Sequence, residues 1–249
     1  MKRLALSIGM IVGLAPSAQA APKIWDIPFG TPASALPATD FVDPACGTNG
    51  GPAGLPIGSF ARFAACPEEA SGLREIWFVY DDAAETVALA LRRTQTASTT
   101  TILDQPVILS FLLDRDGRVT GFRIFTDPRA EPSLRLAAHE VMTAFRARFG
   151  LGRECSDLPL AAGEAPVDGR AVKQLCRKES DGRRVVAEAR LLYKPGQNAD
   201  DPVRARLALN EFESWARLEV VQTAPLPPAP PSGAPVAAAT APEIGRAHV

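Results

Sequence analysis

The chain has 249 residues and carries 27 Lys and Arg against 28 Asp and Glu, with both signs mixed along its length. That balance leaves no basic footprint for nucleic acid and no polybasic run for an anionic membrane surface. The length suits one or two domains, and no apolar run reaches the roughly 18–20 residues that a membrane span needs.

Met1 to Ala20 has the layout of a secretory signal: Lys2 and Arg3, an apolar stretch from Leu4 to Ala15, then Ala18-Gln19-Ala20. Small residues at the −3 and −1 positions suit signal peptidase, which predicts a mature chain from Ala21 in the periplasm or outside a bacterium. No cysteine stands directly after the cleavage point, so lipid anchoring is not expected. In an oxidising compartment the four cysteines should form disulfides. Pairing Cys46 with Cys66 and Cys155 with Cys176 closes two loops of about twenty residues, each adding roughly 3 kcal/mol on the chain-entropy model. Zinc would want closer cysteines with histidine support, and a redox pair would want C-x-x-C.

Trp25 to Phe29 predicts a short strand, followed by a turn at Gly30 and a brief helix capped by Thr31 with Pro32 in its first position. Pro37 and the glycines at 47, 50, 51 and 54 predict an irregular loop. Phe60 and Phe63 are assigned to a strand ending at Cys66. Leu73 to Tyr80 is apolar on both faces, so it should be a central strand. Asp81 or Asp82 can cap a helix with Glu85 in its first turn, Ala84, Val87, Ala88 and Leu91 on one side and Arg92-Arg93 at its end. Residues 94–101 are polar and read as a loop. Val107–Leu113 and Val119–Thr126 flank Asp114-Arg-Asp-Gly117, a strong hairpin signal.

From Pro132 to Phe149 the apolar residues Leu134, Ala138, Val141, Met142, Phe145 and Phe149 recur at helical spacing, and Gly150 supplies the stop. Strands are predicted at Ala171–Arg177, Arg184–Tyr193 and about Leu209–Val221, with Pro195-Gly196 separating the last two. From Thr223 onward proline punctuates alanine, which predicts an extended or disordered tail. Its last seven residues resemble a translated sequencing adapter, so His248 carries no weight.

Both cysteine pairs are followed by C-x5-G-x-R and an apolar run closing on a tyrosine, Tyr80 and Tyr193. This predicts an α+β fold of two related halves, residues 21–128 and 129–222, each a helix packed on a small antiparallel sheet. The tail, 223–249, follows them.

Catalytic signals are sparse. His139 is the only histidine of the folded region, and activating a serine or cysteine nucleophile needs such a base. It lies off the centre of the helical stripe and reads as structural. No G-x-S-x-G, H-E-x-x-H or P-loop pattern occurs, so no catalytic residue, cofactor or metal is assigned. Asp114-Arg-Asp116-Gly117 could suggest calcium, but Leu112 and Arg123 fill places where an EF-hand needs acids. Asp81, Asp82, Glu85 and Glu211 are the candidates for a carboxylate-dependent envelope hydrolase, the alternative reading. A structural envelope component relying on the tail is a third. Trp25, Trp77 and Trp215 are the candidate binding surface.

Ile27-Pro-Phe-Gly30-Thr-Pro-Ala-Ser-Ala-Leu36 resembles the start of the repeat unit in BamE-like and β-lactamase-inhibitor-like proteins. That resemblance implies a small antiparallel sheet and a role in binding other proteins. Cys46-Gly-Thr-Asn-Gly-Gly51, Gly72-Leu-Arg-Glu-Ile-Trp-Phe-Val-Tyr-Asp-Asp82 and Tyr193-Lys-Pro-Gly-Gln197 resemble segments of an uncharacterised family of secreted bacterial proteins. That resemblance implies no activity and no site. The expected function is non-catalytic binding of a protein, peptide or envelope component.

Overall fold

The computed structural model describes residues 23–80, 101–103, 105–193 and 212–226. The signal-like N-terminus, the helix expected after Asp81 and Asp82, Pro195-Gly196, Glu211 and most of the tail lie outside the described residues.

The described chain is mostly β. Strands β1 (Phe41–Cys46), β2 (Arg74–Tyr80), β3 (Thr101–Ile102), β4 (Gln105–Leu113), β5 (Val119–Thr126), β6 (Cys155–Asp157), β7 (Val172–Ser180), β8 (Arg183–Tyr193) and β9 (Phe212–Gln222) form one sheet. It has nine strands in the order β1-β2-β4-β5-β9-β8-β7-β6, with β3 pairing β4. Every pairing is antiparallel.

This corrects the expectation of two helix-on-sheet halves. The last strand, β9, inserts between β5 and β8, with Phe122 opposite Val220 on one side and Ala187 opposite Leu218 on the other. The two cystines also sit in different settings. Cys46–Cys66 ties the end of β1 to the residue that closes a 3-10 turn, whereas Cys155 and Cys176 face each other across β6 and β7. What the two segments share is turn chemistry alone: Gly72 and Gly182 both take positive φ just before a strand.

Strand alternation gives the sheet two faces. On the front, Ile76, Phe78, Phe111, Phe122, Ile124, Ala187, Leu218 and Val220 build the main core. Phe78 stacks on Phe111 at 4.7 Å between centroids, and Phe41 meets both rings at 4.9 and 5.3 Å. Short 3-10 turns (Ile24–Asp26, Ala33–Ala35, Phe60–Ala65) and a helix supply residues to the same core. Two of those turns replace expected elements. The Trp25 segment and the Phe60–Phe63 segment curl rather than extend, the second capped by Ser59 Oγ accepting from the Ala61 N–H.

The predicted helix from Pro132 to Phe149 is interrupted. It becomes α1 (Pro132–Leu136), a 3-10 turn (Ala138–Glu140) and α2 (Val141–Phe149), ended by Gly150 at φ 60°. The Leu136 carbonyl accepts from Ser214 Oγ at 2.9 Å, and His139 Nδ1 lies 3.1 Å from the same oxygen. Side chains thereby occupy a carbonyl that a continuous helix would use, a recognised cause of a break. The hairpin turn is as expected: Asp114 Oδ1 accepts from the Asp116 and Arg118 N–H groups, and Gly117 takes φ 73°.

Candidate functional site

The back of the sheet carries most of its ion pairs, and it divides into two unlike regions. Antiparallel register puts Trp77, Ser110, Arg123, Glu219 and Val186 in one row across β2, β4, β5, β9 and β8. Arg123 is buried, at 8% exposure, and is the one charged residue of its strand. A buried guanidinium needs partners for its donors. Nε donates to Glu219 at 2.8 Å, Nη1 to Glu69 and Glu75 at 2.6 and 3.2 Å, and Nη2 to Glu69 at 3.0 Å. Burial on its own lowers the Arg123 pKa. The hydrogen bonds to Glu69 and Glu219 and the charges of Glu75 and Glu69 outweigh it, so the net shift is upward.

Glu75 is just as enclosed, at 4% exposure. It accepts from Ser110 Oγ at 2.6 Å and from the Asn49 N–H at 2.7 Å. The second bond brings in the loop after Cys46. Asn49 (φ 56°) and Gly50 (φ 86°) form a tight turn over this part of the sheet, so close that a Cβ on Gly50 would lie 2.6 Å from the Phe125 ring. The glycine-rich segment of the sequence is therefore a cover for a buried ionic cluster.

The other region lies over β9, β8 and β7. Here Arg190 and Arg217 both lie against the Trp215 ring, at 5.3 and 6.0 Å from its centroid. Arg217 bridges Glu188 at 2.7 Å and Arg190 approaches Glu213 at 3.7 Å. Trp215, Arg190, Arg217, Val186 and Leu175 are half-buried, and Arg177 and Arg184 are exposed. Stacking of this kind adds about 0.5–1 kcal/mol per contact at exposed sites.

The three tryptophans do not form one surface. Trp25 lies on the core side, packed against the main core, with Arg148 of α2 over its ring at 5.4 Å. Trp77 and Trp215 share the back face. The row through Trp77 crosses β9 at Glu219, four residues from Trp215, which puts the two rings roughly 20 Å apart by strand spacing and rise. Trp77 Nε1 is buried with no hydrogen-bond partner among the described residues.

His139 is brought beside Ser214, a pairing the sequence did not suggest. Nδ1 lies 3.3 Å from Ser214 Oγ, but that hydroxyl donates to the Leu136 carbonyl. Burial pushes the His139 pKa down, against smaller upward contributions from Leu136 and Glu140. The pair thus fastens the α1 end to β9. Of the hydrolase carboxylates, Asp81, Asp82, Glu85 and Glu211 lie outside the described residues. The carboxylates that do converge, Glu69, Glu75 and Glu219, all meet on the Arg123 guanidinium.

Sequence reasoning passed over Arg123 and Glu75. The available signal was a charge set beside large apolar residues within each of two strand-like runs, Arg-Glu-Ile-Trp-Phe-Val-Tyr and Val-Thr-Gly-Phe-Arg-Ile-Phe-Thr.

Among the described residues no helix is long and apolar enough to cross a membrane. The two disulfides are consistent with an oxidising compartment. No protein-family model, curated protein or solved structure matches the chain.

Proposed function

We propose that this chain is a non-catalytic protein of the periplasm or cell exterior that binds a protein, peptide or envelope component through the back of its sheet. The carrying observation is the region over β9, β8 and β7. The sheet there presents Trp215 between Arg190 and Arg217, with Glu188 and Glu213 paired to those arginines. An aromatic and arginine centre with a polar rim is the composition of protein interfaces. The export-signal pattern of Met1–Ala20 and the two disulfides support the compartment.

Photo-crosslinking in the intact cell envelope tests the reading. A crosslinking residue replacing Arg217 should capture a defined partner, and one replacing Asp26, beside Trp25, should not. Equal capture from both positions, or none while the purified protein turns over a cell-wall substrate, contradicts it.

A further inference from the structure

We infer that Cys155–Cys176 is a releasable clasp over one edge of the sheet, separable from the structural Cys46–Cys66 bridge. Between Leu151, which is fully buried, and Val167, which is buried, the chain runs along the outer edge of β7. Within residues 152–163 every side chain is exposed except that of Cys155, which is half-buried. The sulfur is thus the one anchor this twelve-residue segment places against the core.

The remaining attachments are polar and lie at the surface. Arg177 N–H donates to Glu154 O at 3.0 Å and Leu158 N–H to Lys173 O at 2.7 Å. Gln174 Nε2 reaches Asp157 at 3.0 Å, and Lys173 Nζ reaches the Pro159 carbonyl at 3.1 Å. Strand pairing of three residues with no apolar anchor belongs to the least stable end of a fold. The difference from the other bridge lies at Cys155: Cys46 and Cys66 are both buried within the aromatic core, at 4% and 1% exposure, whereas in the edge bridge only Cys176 is buried.

A dithiol can open the edge bridge without unfolding the sheet. Its thiolate attacks the Cys155 sulfur, forming a mixed disulfide and expelling the Cys176 thiolate. The second thiol of the reagent then attacks its own mixed-disulfide sulfur. That frees Cys155 as a thiol and leaves the reagent as a cyclic disulfide, a two-electron reduction overall. With the clasp open, β6 leaves β7, and the stretch it covers, Gln174 to Cys176 with the flanking Lys173 and Arg177, joins the rest of β7 as an uncovered sheet edge.

The test is graded dithiothreitol on the full, folded chain, with alkylation mapping and amide hydrogen exchange on the same samples. Cys155 and Cys176 should become alkylated at least tenfold sooner than Cys46 and Cys66. The amides of Leu158 and Arg177 should lose protection together with that opening, while those of β4 and β5 keep theirs. Reoxidation should restore the pattern. Equal rates for the two bridges, no opening short of global unfolding, or an open bridge with Leu158 and Arg177 still protected would each overturn the inference. Using the native chain avoids substituting Cys176, whose site is fully buried.

Discussion

The two regions of the back face use the same residue types to opposite effect. Over β2, β4 and β5, Arg123 and Glu75 are sealed beneath the Asn49–Gly50 turn, and each polar atom is held by a named partner. Over β9 and β8, Arg217 and Glu188 pair at 2.7 Å, yet Arg217 keeps 40% of its side chain in solvent. Distance alone would rank the second pair as the stronger. Burial reverses the ranking, because loss of one buried partner leaves an uncompensated charge while an exposed partner is replaced by water.

The largest expected effect comes from breaking the sealed region. Arg123→Met should destabilise the protein by about 3–5 kcal/mol in urea unfolding. Glu75→Gln keeps one acceptor oxygen, enough for the Asn49 N–H but not also for the Ser110 hydroxyl as now donated, and should cost less than loss of the guanidinium, about 1–3 kcal/mol. Next comes the cover itself. Gly50→Ala combines positive φ with an unavoidable approach to Phe125, whereas Gly30→Ala has positive φ with nothing within 4 Å of the added carbon. The first should cost about 2–4 kcal/mol and the second about 1–2, and a gap between their unfolding midpoints measures how tightly the loop is seated.

His139 gives a smaller, pH-dependent effect. Its folded pKa lies below the ordinary value of 6.5, so its contribution to stability is present above that pH and fades as the pH falls beneath it. His139→Gln should flatten the decline in unfolding midpoint between about pH 7 and pH 5. Smallest of all, Arg217→Ala should cost about 0.2–1 kcal/mol, and less at high salt.

Local chemistry was legible in the sequence and strand order was not. The β4–β5 hairpin follows from Asp114 and Gly117, β2 and β8 from their apolar runs, and the presence of disulfides from the signal-like N-terminus and the even cysteine count; their pairing, expected from the supposed repeat, is the one observed. The front-face core residues Val141, Met142 and Phe145 follow from helical spacing, even though the helix breaks before them. The break itself depends on Ser214, 75 residues from His139, and periodicity within a window carries no such information. The same holds for Arg123 and Glu219, 96 residues apart, which meet because β9 enters the middle of the sheet. The apparent duplication reflected glycine turns before strands, a local device that recurs in unrelated surroundings.

Paired double-mutant cycles bear most directly on the difference between the two regions. Arg123→Met with Glu75→Gln should show a coupling of about 1.5–3 kcal/mol, and Arg217→Ala with Glu188→Ala one below about 1 kcal/mol that shrinks with salt. Equal couplings, or a larger one at the exposed pair, would contradict the assignment of Arg123 to a sealed cluster that binds β2, β5 and β9 into one sheet.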